Sequence, residues 1–307
     1  MKNENTKGTL ILLITAFIWG VSFVAQTSAA SHIGSFTLNA SRSTIAFIFL
    51  FCFIHARARI AKKILTSVPS APLFPRHTIK AGMWCGLTLF VAANLQQFGI
   101  AAYPEGVAVA GRAGFLTTTY IIMVAICARF FGQKLHPLIW ASTLFCVAGM
   151  YMLCASGGMD GIYLGDILVL LSAVAYTVQI LTVDHFASRN DGITMSCVQF
   201  PVMALLSWIA AILFESPDVS QFVVAWLPII YLGIFSNGIA YTMQIVGQKY
   251  AQPSVASVVM SLESVFSAIA GWLILHESLS GREILGCVLV FVAVLLAQVP
   301  SFLRPKS

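Results

Sequence analysis

The chain has 307 residues, 59% of them hydrophobic and 9% charged, with 17 Lys and Arg against 11 Asp and Glu. A soluble domain carries about 25% charged residues, so an ordinary water-facing surface is excluded and the chain reads as an integral membrane protein. The formal charge of +6 does not point to nucleic acid, because the basic residues are sorted between loops rather than gathered into a patch.

Crossing the hydrocarbon core takes about 20 apolar residues. Runs of that kind are predicted over 9–27, 34–54, 80–101, 106–128, 138–155, 165–186, 193–214, 223–246, 253–275 and 283–301. The alternation expected of an outer-membrane barrel is absent. The first run follows a basic start and precedes Ala29-Ala30-Ser31, features shared with a cleaved signal. Its match to an internal run, described below, reads it instead as a retained span. The longest polar stretch, 55–79, is too short to fold alone, so no soluble domain is expected.

Loop charge sets an orientation. Lys2, Lys7, Arg57, Arg59, Lys62, Lys63, Arg76, Lys80, Arg129, Lys134, Arg189, Lys249, Arg304 and Lys306 fall on one side of a ten-span arrangement, and Arg282 alone falls on the other. The positive-inside rule then predicts a plasma (inner) membrane protein with both termini cytoplasmic.

The first span, Gly8-Thr-Leu-Ile-Leu-Leu-Ile-Thr-Ala-Phe-Ile-Trp19-Gly-Val-Ser-Phe, has a partner in Gly165-Asp-Ile-Leu-Val-Leu-Leu-Ser-Ala-Val-Ala-Tyr176-Thr-Val-Gln-Ile. Gly8 aligns with Gly165, Thr15 with Ser172, Ala16 with Ala173 and Trp19 with Tyr176. A second register pairs Tyr103 with Tyr250, Asn94 with Tyr241 and Gln97 with Gln244. Phe130-Phe-Gly-Gln133-Lys-Leu135 and Leu275-His-Glu277-Ser-Leu279 occupy matching places near the ends of the two halves. Halves of 1–157 and 158–307 are expected. Five spans per half is odd, so the second half must start on the opposite side from the first. The predicted fold is therefore all-α, with ten transmembrane helices in two inverted five-helix repeats, an arrangement suited to alternating access around a midplane site.

The Gly8-Thr-Leu…Trp19-Gly-Val-Ser-Phe opening, its Gly165-Asp-Ile-Leu partner, Ser257-Val-Val-Met-Ser-Leu262-Glu263-Ser-Val-Phe266 and His276-Glu277-Ser-Leu279 resemble the EamA family of the drug/metabolite transporter superfamily. Ser264 stands where that family usually has proline after Leu-Glu, and His276 where it has glycine. Gly111-Arg112-Ala-Gly114-Phe-Leu-Thr-Thr-Thr-Tyr120 resembles the form in one EamA subset. The resemblance covers essentially the whole chain. It implies two inverted five-helix bundles around a central cavity and export of small amino-acid-like or drug-like metabolites.

Three fully charged residues are placed within the span interiors: Arg42, Arg112 and Glu263. Charge at that depth costs about 2.5–3.5 kcal/mol on translocon scales, and such residues normally face a bundle interior or a wet cavity. Arg112 and Arg42 are read as candidate contacts for an anionic substrate, and Glu263 as the candidate proton-coupling group. A structural Arg–Glu pair between the halves, or an Arg42 snorkelling to the headgroups, stands beside that reading. Asn237, Tyr241, Gln244 and Gln248 recur along one helical face, and Asn94 and Gln97 make a shorter stripe, so both halves are expected to face a shared polar cavity. Tyr120, Trp19 and Tyr176 complete the predicted substrate-binding set, with interhelical hydrogen bonding and ordinary packing as the alternatives. The small residues Ala110, Gly114, Ser257, Ser261, Ser264, Ser267 and Gly271 read as helix contacts.

An embedded enzyme would need a nucleophile–base pair or metal ligands at membrane depth. The six histidines lie in loops or at span ends, and the seven scattered cysteines lack metal spacing and read as apolar fillers. A receptor would want an extramembrane domain, and a channel a filter loop or rings of like residues. No nucleotide-binding motif is present, so direct drive by ATP is not expected. The expectation is a secondary transporter, not an enzyme, with no cofactor or metal. Its partners are a small-molecule metabolite and the lipid bilayer, and a monomer-sized unit suffices. An uptake carrier of the same fold is the alternative.

Overall fold

The computed structural model describes residues 2–64, 73–104, 107, 109–132, 136–154, 163–274 and 281–303. Within them the chain is helical and without strands: α1 (Lys2–Ala30), α2 (Ser35–Ile64), α3 (Arg76–Ala101), α4 (Val109–Thr118), α5 (Tyr120–Phe130), α6 (Pro137–Cys154), α7 (Leu164–Ala187), α8 (Gly192–Phe214), α9 (Val219–Val224), α10 (Trp226–Tyr231), a π-helical segment (Leu232–Tyr241), α11 (Thr242–Gln248), α12 (Pro253–Met260), α13 (Leu262–Ile274) and α14 (Gly281–Leu303). Eight stretches are long and apolar enough to cross a membrane, from Thr6–Ala30 to Pro253–Ile274, and two shorter apolar helices cover Pro137–Gly149 and Ile284–Ala293. Each overlaps one of the ten predicted runs. The Gln133–Leu135 and His276–Leu279 elements of the sequence motifs lie outside the described residues.

Large apolar side chains such as Phe17, Leu144, Leu205, Leu213 and Trp272 point outward, while the interior mixes large apolar residues such as Leu12 and Phe200 with many small and polar ones. An apolar outer surface is expected when the surrounding solvent is hydrocarbon. Helix starts are set locally. Pro253 opens α12 at a position where a missing N–H costs nothing, and the Asp191 carboxylate accepts from the Thr194 amide and hydroxyl to cap α8. The start of α2 is capped from another helix: Glu215, just past α8, accepts from the amides of Phe36 and Thr37 at 2.8 and 2.9 Å.

Three of the long apolar stretches are irregular in mid-span. Thr119 separates α4 from α5, and Ser261 separates α12 from α13. At both breaks hydroxyls fold back on the preceding turn, Thr119 to the Leu116 carbonyl and Ser261 to that of Val258, each at 2.6 Å. The third irregularity is the π segment between α10 and α11. Non-ideal backbone at membrane depth is tolerated where it is buried in protein or lines a cavity.

Helix packing is interleaved along the chain. α1 lies mainly against α13, α11 and the π segment, and α7 against α3, α4 and α5; α2 packs on α8 and the π segment, α3 on α8, and α6 on α14. Glycines permit the tightest approaches. A Cβ at Gly8 would stand 2.9 Å from Tyr250 Cβ, and one at Gly165 would stand 2.7 Å from the Gly99 carbonyl and 2.8 Å from the Tyr103 ring.

A polar cavity where the irregular helices meet

The three interruptions converge on one cavity. Its walls carry Trp19, Ser22 and Gln26 from α1, Arg42 from α2, Gln96 from α3 and Thr117 and Tyr120 from either side of the Thr119 break. Tyr176 and Gln179 from α7, Ser236 and Tyr241 from the π segment, Gln244 from α11 and Glu263 from the first turn of α13 complete them. The free volume is about 30 Å³, room for roughly two waters at 10–15 Å³ each. A metabolite would need the helices to part.

Two charged residues share this space. Arg42 is 2% exposed and Glu263 is 4% exposed. Among the described residues neither forms an ion pair. Arg42 donates from Nη1 to Gln26 Oε1 at 3.2 Å, while its Nε lacks a partner. Glu263 accepts at Oε1 from the Tyr120 hydroxyl at 3.2 Å. Separate groups of neutral donors and acceptors line the rest of the space. Tyr176 donates to Gln96 Oε1 at 3.1 Å, and its hydroxyl lies 3.2 Å from that of Tyr241. Gln96 in turn donates to Thr117 at 3.0 Å. Gln179 and Gln244 exchange amide hydrogen bonds at 3.4 and 3.2 Å. The indole of Trp19 stands 4.7 Å from the Tyr241 ring, centroid to centroid, and reaches the Ser236 carbonyl at 3.4 Å. An aromatic wall with a cation, a carboxyl and rearrangeable amides can grip a small molecule bearing both apolar and charged parts.

The sequence-predicted residues divide. Trp19, Arg42, Tyr120, Tyr176, Tyr241, Gln244 and Glu263 all line the cavity. Arg42 is buried there and does not snorkel. Asn94, Gln97 and Asn237 lie outside the lining. Asn94 accepts from Asn39 at 2.8 Å, Gln97 donates to the Gln26 carbonyl at 3.4 Å, and Asn237 donates to Ser43 at 3.3 Å. These are interhelical bonds. Gln26, Gln96 and Gln179 were not foreseen, although Gln96 adjoins a chosen residue and Gln179 lies three positions beyond Tyr176 on the same helical face.

Arg112 is also elsewhere. Its guanidinium binds Asp166 through Nε–Oδ1 at 2.6 Å and Nη2–Oδ2 at 2.7 Å. The Tyr103 hydroxyl and the Tyr163 amide donate to the same carboxylate at 2.7 and 2.9 Å. Burial, reinforced by the Asp166 carboxylate, pushes the Tyr103 hydroxyl well above the usual phenol range, so it remains a donor. Three charged residues within the spans is too few: Asp166 and Asp184 both lie inside the stretch Leu164–Ala187, and Asp166 supplies the carboxylate that Arg112 meets. The carboxylate expected for a structural pair was Glu263.

A family model for EamA-like transporters matches residues 6–155 and again 163–298. An uncharacterized transporter of Archaeoglobus fulgidus is 24% identical over 289 residues, covering 94% of this chain and 84% of the relative. The uncharacterized transporter YcxC of Bacillus subtilis is 25% identical over 319 residues, with 96% and 93% covered. A WAT1-related chloroplastic protein of Arabidopsis thaliana is 23% identical over 305 residues, with 95% and 69% covered. A solved crystal structure at 22% identity matches with a TM-score of 0.76 over 96% of this chain and 99% of its own, a likeness of fold.

Proposed function

This chain belongs to the EamA-like transporter family, and from that premise we propose that it is a secondary transporter that moves a small metabolite by alternating access. The observation that carries the proposal is the cavity between α1, α7 and the three irregular spans, where Arg42 and Glu263 face one enclosed space with Trp19, Tyr176 and Tyr241. A solute with an anionic group for Arg42, a polar or cationic group for Glu263 and an apolar face for the rings fits that lining, which suits an amino-acid-like, anionic or drug-like compound.

We take the fold to be ten transmembrane helices in two inverted five-helix repeats, residues 1–157 and 158–307. The helix pairs support this reading because they survive exchange of the halves. α1 against the π segment and α11 mirrors α7 against α3; α1 against α13 mirrors α7 against α4 and α5; α2 against the π segment mirrors α8 against α3. The repeat-related glycines do the same, Gly8 meeting Tyr250 and Gly165 meeting Tyr103. Sites of this kind form near the midplane between repeats, at interrupted helices. Loop charge supports a plasma-membrane protein with cytoplasmic termini. One chain encloses the cavity, so a monomer is sufficient.

Glu263 is the group we assign to proton coupling. It has a hydroxyl donor, no cation within ion-pair distance among the described residues, and a place in a cavity that must face each side in turn. It can load a proton on one side and release it on the other. Export is the direction the family resemblance implies.

The test begins with metabolite profiles of the medium around cells that express or lack the protein. A compound identified there is then followed in reconstituted vesicles under a proton gradient. Glu263→Gln should abolish gradient-driven accumulation yet leave solute exchange running. Accumulation by Glu263→Gln at the parent rate would remove the coupling role, and entry rather than exit of the compound would favour the uptake carrier.

A further inference from the structure

The best-formed ion pair among the described residues lies outside the cavity, and transport as proposed makes no use of it. We propose that Arg112, Asp166 and Tyr103 form a latch that holds one end of the bundle shut and parts when the cavity opens at that end. The inference rests on the alternating-access reading above.

The pair joins segments from the two family matches. Arg112 is on α4, within the first family match, and Asp166 is in the first turn of α7, within the second. Tyr103, just beyond α3, adds its hydroxyl to the same carboxylate. The guanidinium also lies 4.9 Å from the Tyr163 ring centre and 5.9 Å from that of Tyr103. The bond is two-pronged, the most directional form of Arg–carboxylate contact. Arg112 is partly exposed, at 18% of its side chain, while Asp166 is buried at 8%. Water reaches the pair from the Arg112 side as it opens, whereas a pair buried on both sides would cost several kcal/mol to break.

The opposite end is built differently. In the Gly8–Gly165 register the counterpart of Asp166 is Thr9, which carries no charge. α7 runs from Asp166 to Asp184, about 27 Å at 1.5 Å per residue. Beside Asp184 lies an open cleft of about 540 Å³, bordered by Ser188, Gln248, Lys249 and Pro253. The cleft is a surface feature of the second half, and the ion pair that joins the halves at that end, Arg57 to Asp191, is exposed and loose at 3.9 Å. A tight, sheltered pair at one end set against a loose, exposed one at the other biases the resting state toward opening at the loosely paired end.

The test needs no substrate. Ser22→Cys places a reporter thiol in the cavity, in a background with the native cysteines replaced. Its reaction with a membrane-impermeant sulfonated methanethiosulfonate is timed from each face, using right-side-out and inside-out vesicles. Asp166→Asn and Arg112→Gln should each speed labelling from the latch face about tenfold, the equivalent of one charge-assisted hydrogen bond. Arg112→Lys keeps the charge and loses the two-pronged fit, so it should give a smaller acceleration and serves if the neutral variants do not fold. Unchanged latch-face labelling in folded variants, with the cleft face reactive, overturns the latch and leaves the transport reading intact. A reporter that reacts from neither face in any variant overturns alternating access and the latch with it.

Discussion

Arg42 shows how a residue can burden the fold and still be kept. Its guanidinium is buried, one nitrogen has no acceptor, and no carboxylate among the described residues pairs with it. Burying an unpaired charge is costly, so a side chain held only for stability would be something else. Arg42→Met should therefore raise the melting temperature of the purified protein by a few degrees while cutting transport at least about tenfold, since charged hydrogen bonds contribute about 1.5–3 kcal/mol. Thermal unfolding and vesicle transport, measured on the same preparation, check both halves. A fall in melting temperature would make Arg42 a structural residue. Arg42 and Glu263 were legible as cavity residues because charge at membrane depth needs a reason. Arg112 raises the same expectation and meets Asp166, whose place one residue inside the edge of its predicted span gives no sign of membrane depth. Depth alone cannot say which neighbour a charge will meet.

At the scale of elements, the π segment explains a misreading. Spacing of 3.6 residues puts Asn237, Tyr241 and Gln244 on one face. In the π form the repeat lengthens toward i→i+5, so Ser236 joins Tyr241 at the cavity and Asn237 turns to Ser43. Local winding of that kind has no marker in a stretch as ordinary as Leu-Gly-Ile-Phe-Ser-Asn-Gly-Ile-Ala-Tyr. Helix contact is easier to predict. A Cβ at Gly20 would overlap Phe266 and the Glu263 carbonyl, holding α1 off α13, while one at Gly111 would meet nothing within 4 Å. Gly20→Val should destabilise by about 1–3 kcal/mol or more, the usual cost of overpacking. Gly111→Ala should be neutral or stabilise by about 0.5–1 kcal/mol, because alanine suits a helix interior better. Chemical unfolding in a fixed detergent compares the two. Equal stability for both would show that α1 and α13 are loosely packed.

Across the whole molecule, the duplicated opening predicts two halves but says nothing of how they would pack together. Matching Gly8 to Gly165 and Tyr103 to Tyr250 gives equivalence; contact runs crosswise, Gly8 to Tyr250 and Gly165 to Tyr103. In the two-half arrangement proposed above, each half lends its first helix to the other. A chain cut between 157 and 158 should therefore yield fragments that are each degraded when made alone and accumulate when made together. Immunoblots of membranes holding one or both fragments read this directly, and a stable first fragment on its own would refute it.

The crosswise embrace also sets a schedule for synthesis. α1 is made first, yet the helix it chiefly leans on, α13, begins at residue 262. At 5–20 residues per second that partner emerges roughly 10–45 s later. Until then the polar side of α1, with Gln26 and Ser22, must be sheltered by lipid headgroups, water or an insertion factor, so this helix enters the bilayer long before its main partner arrives.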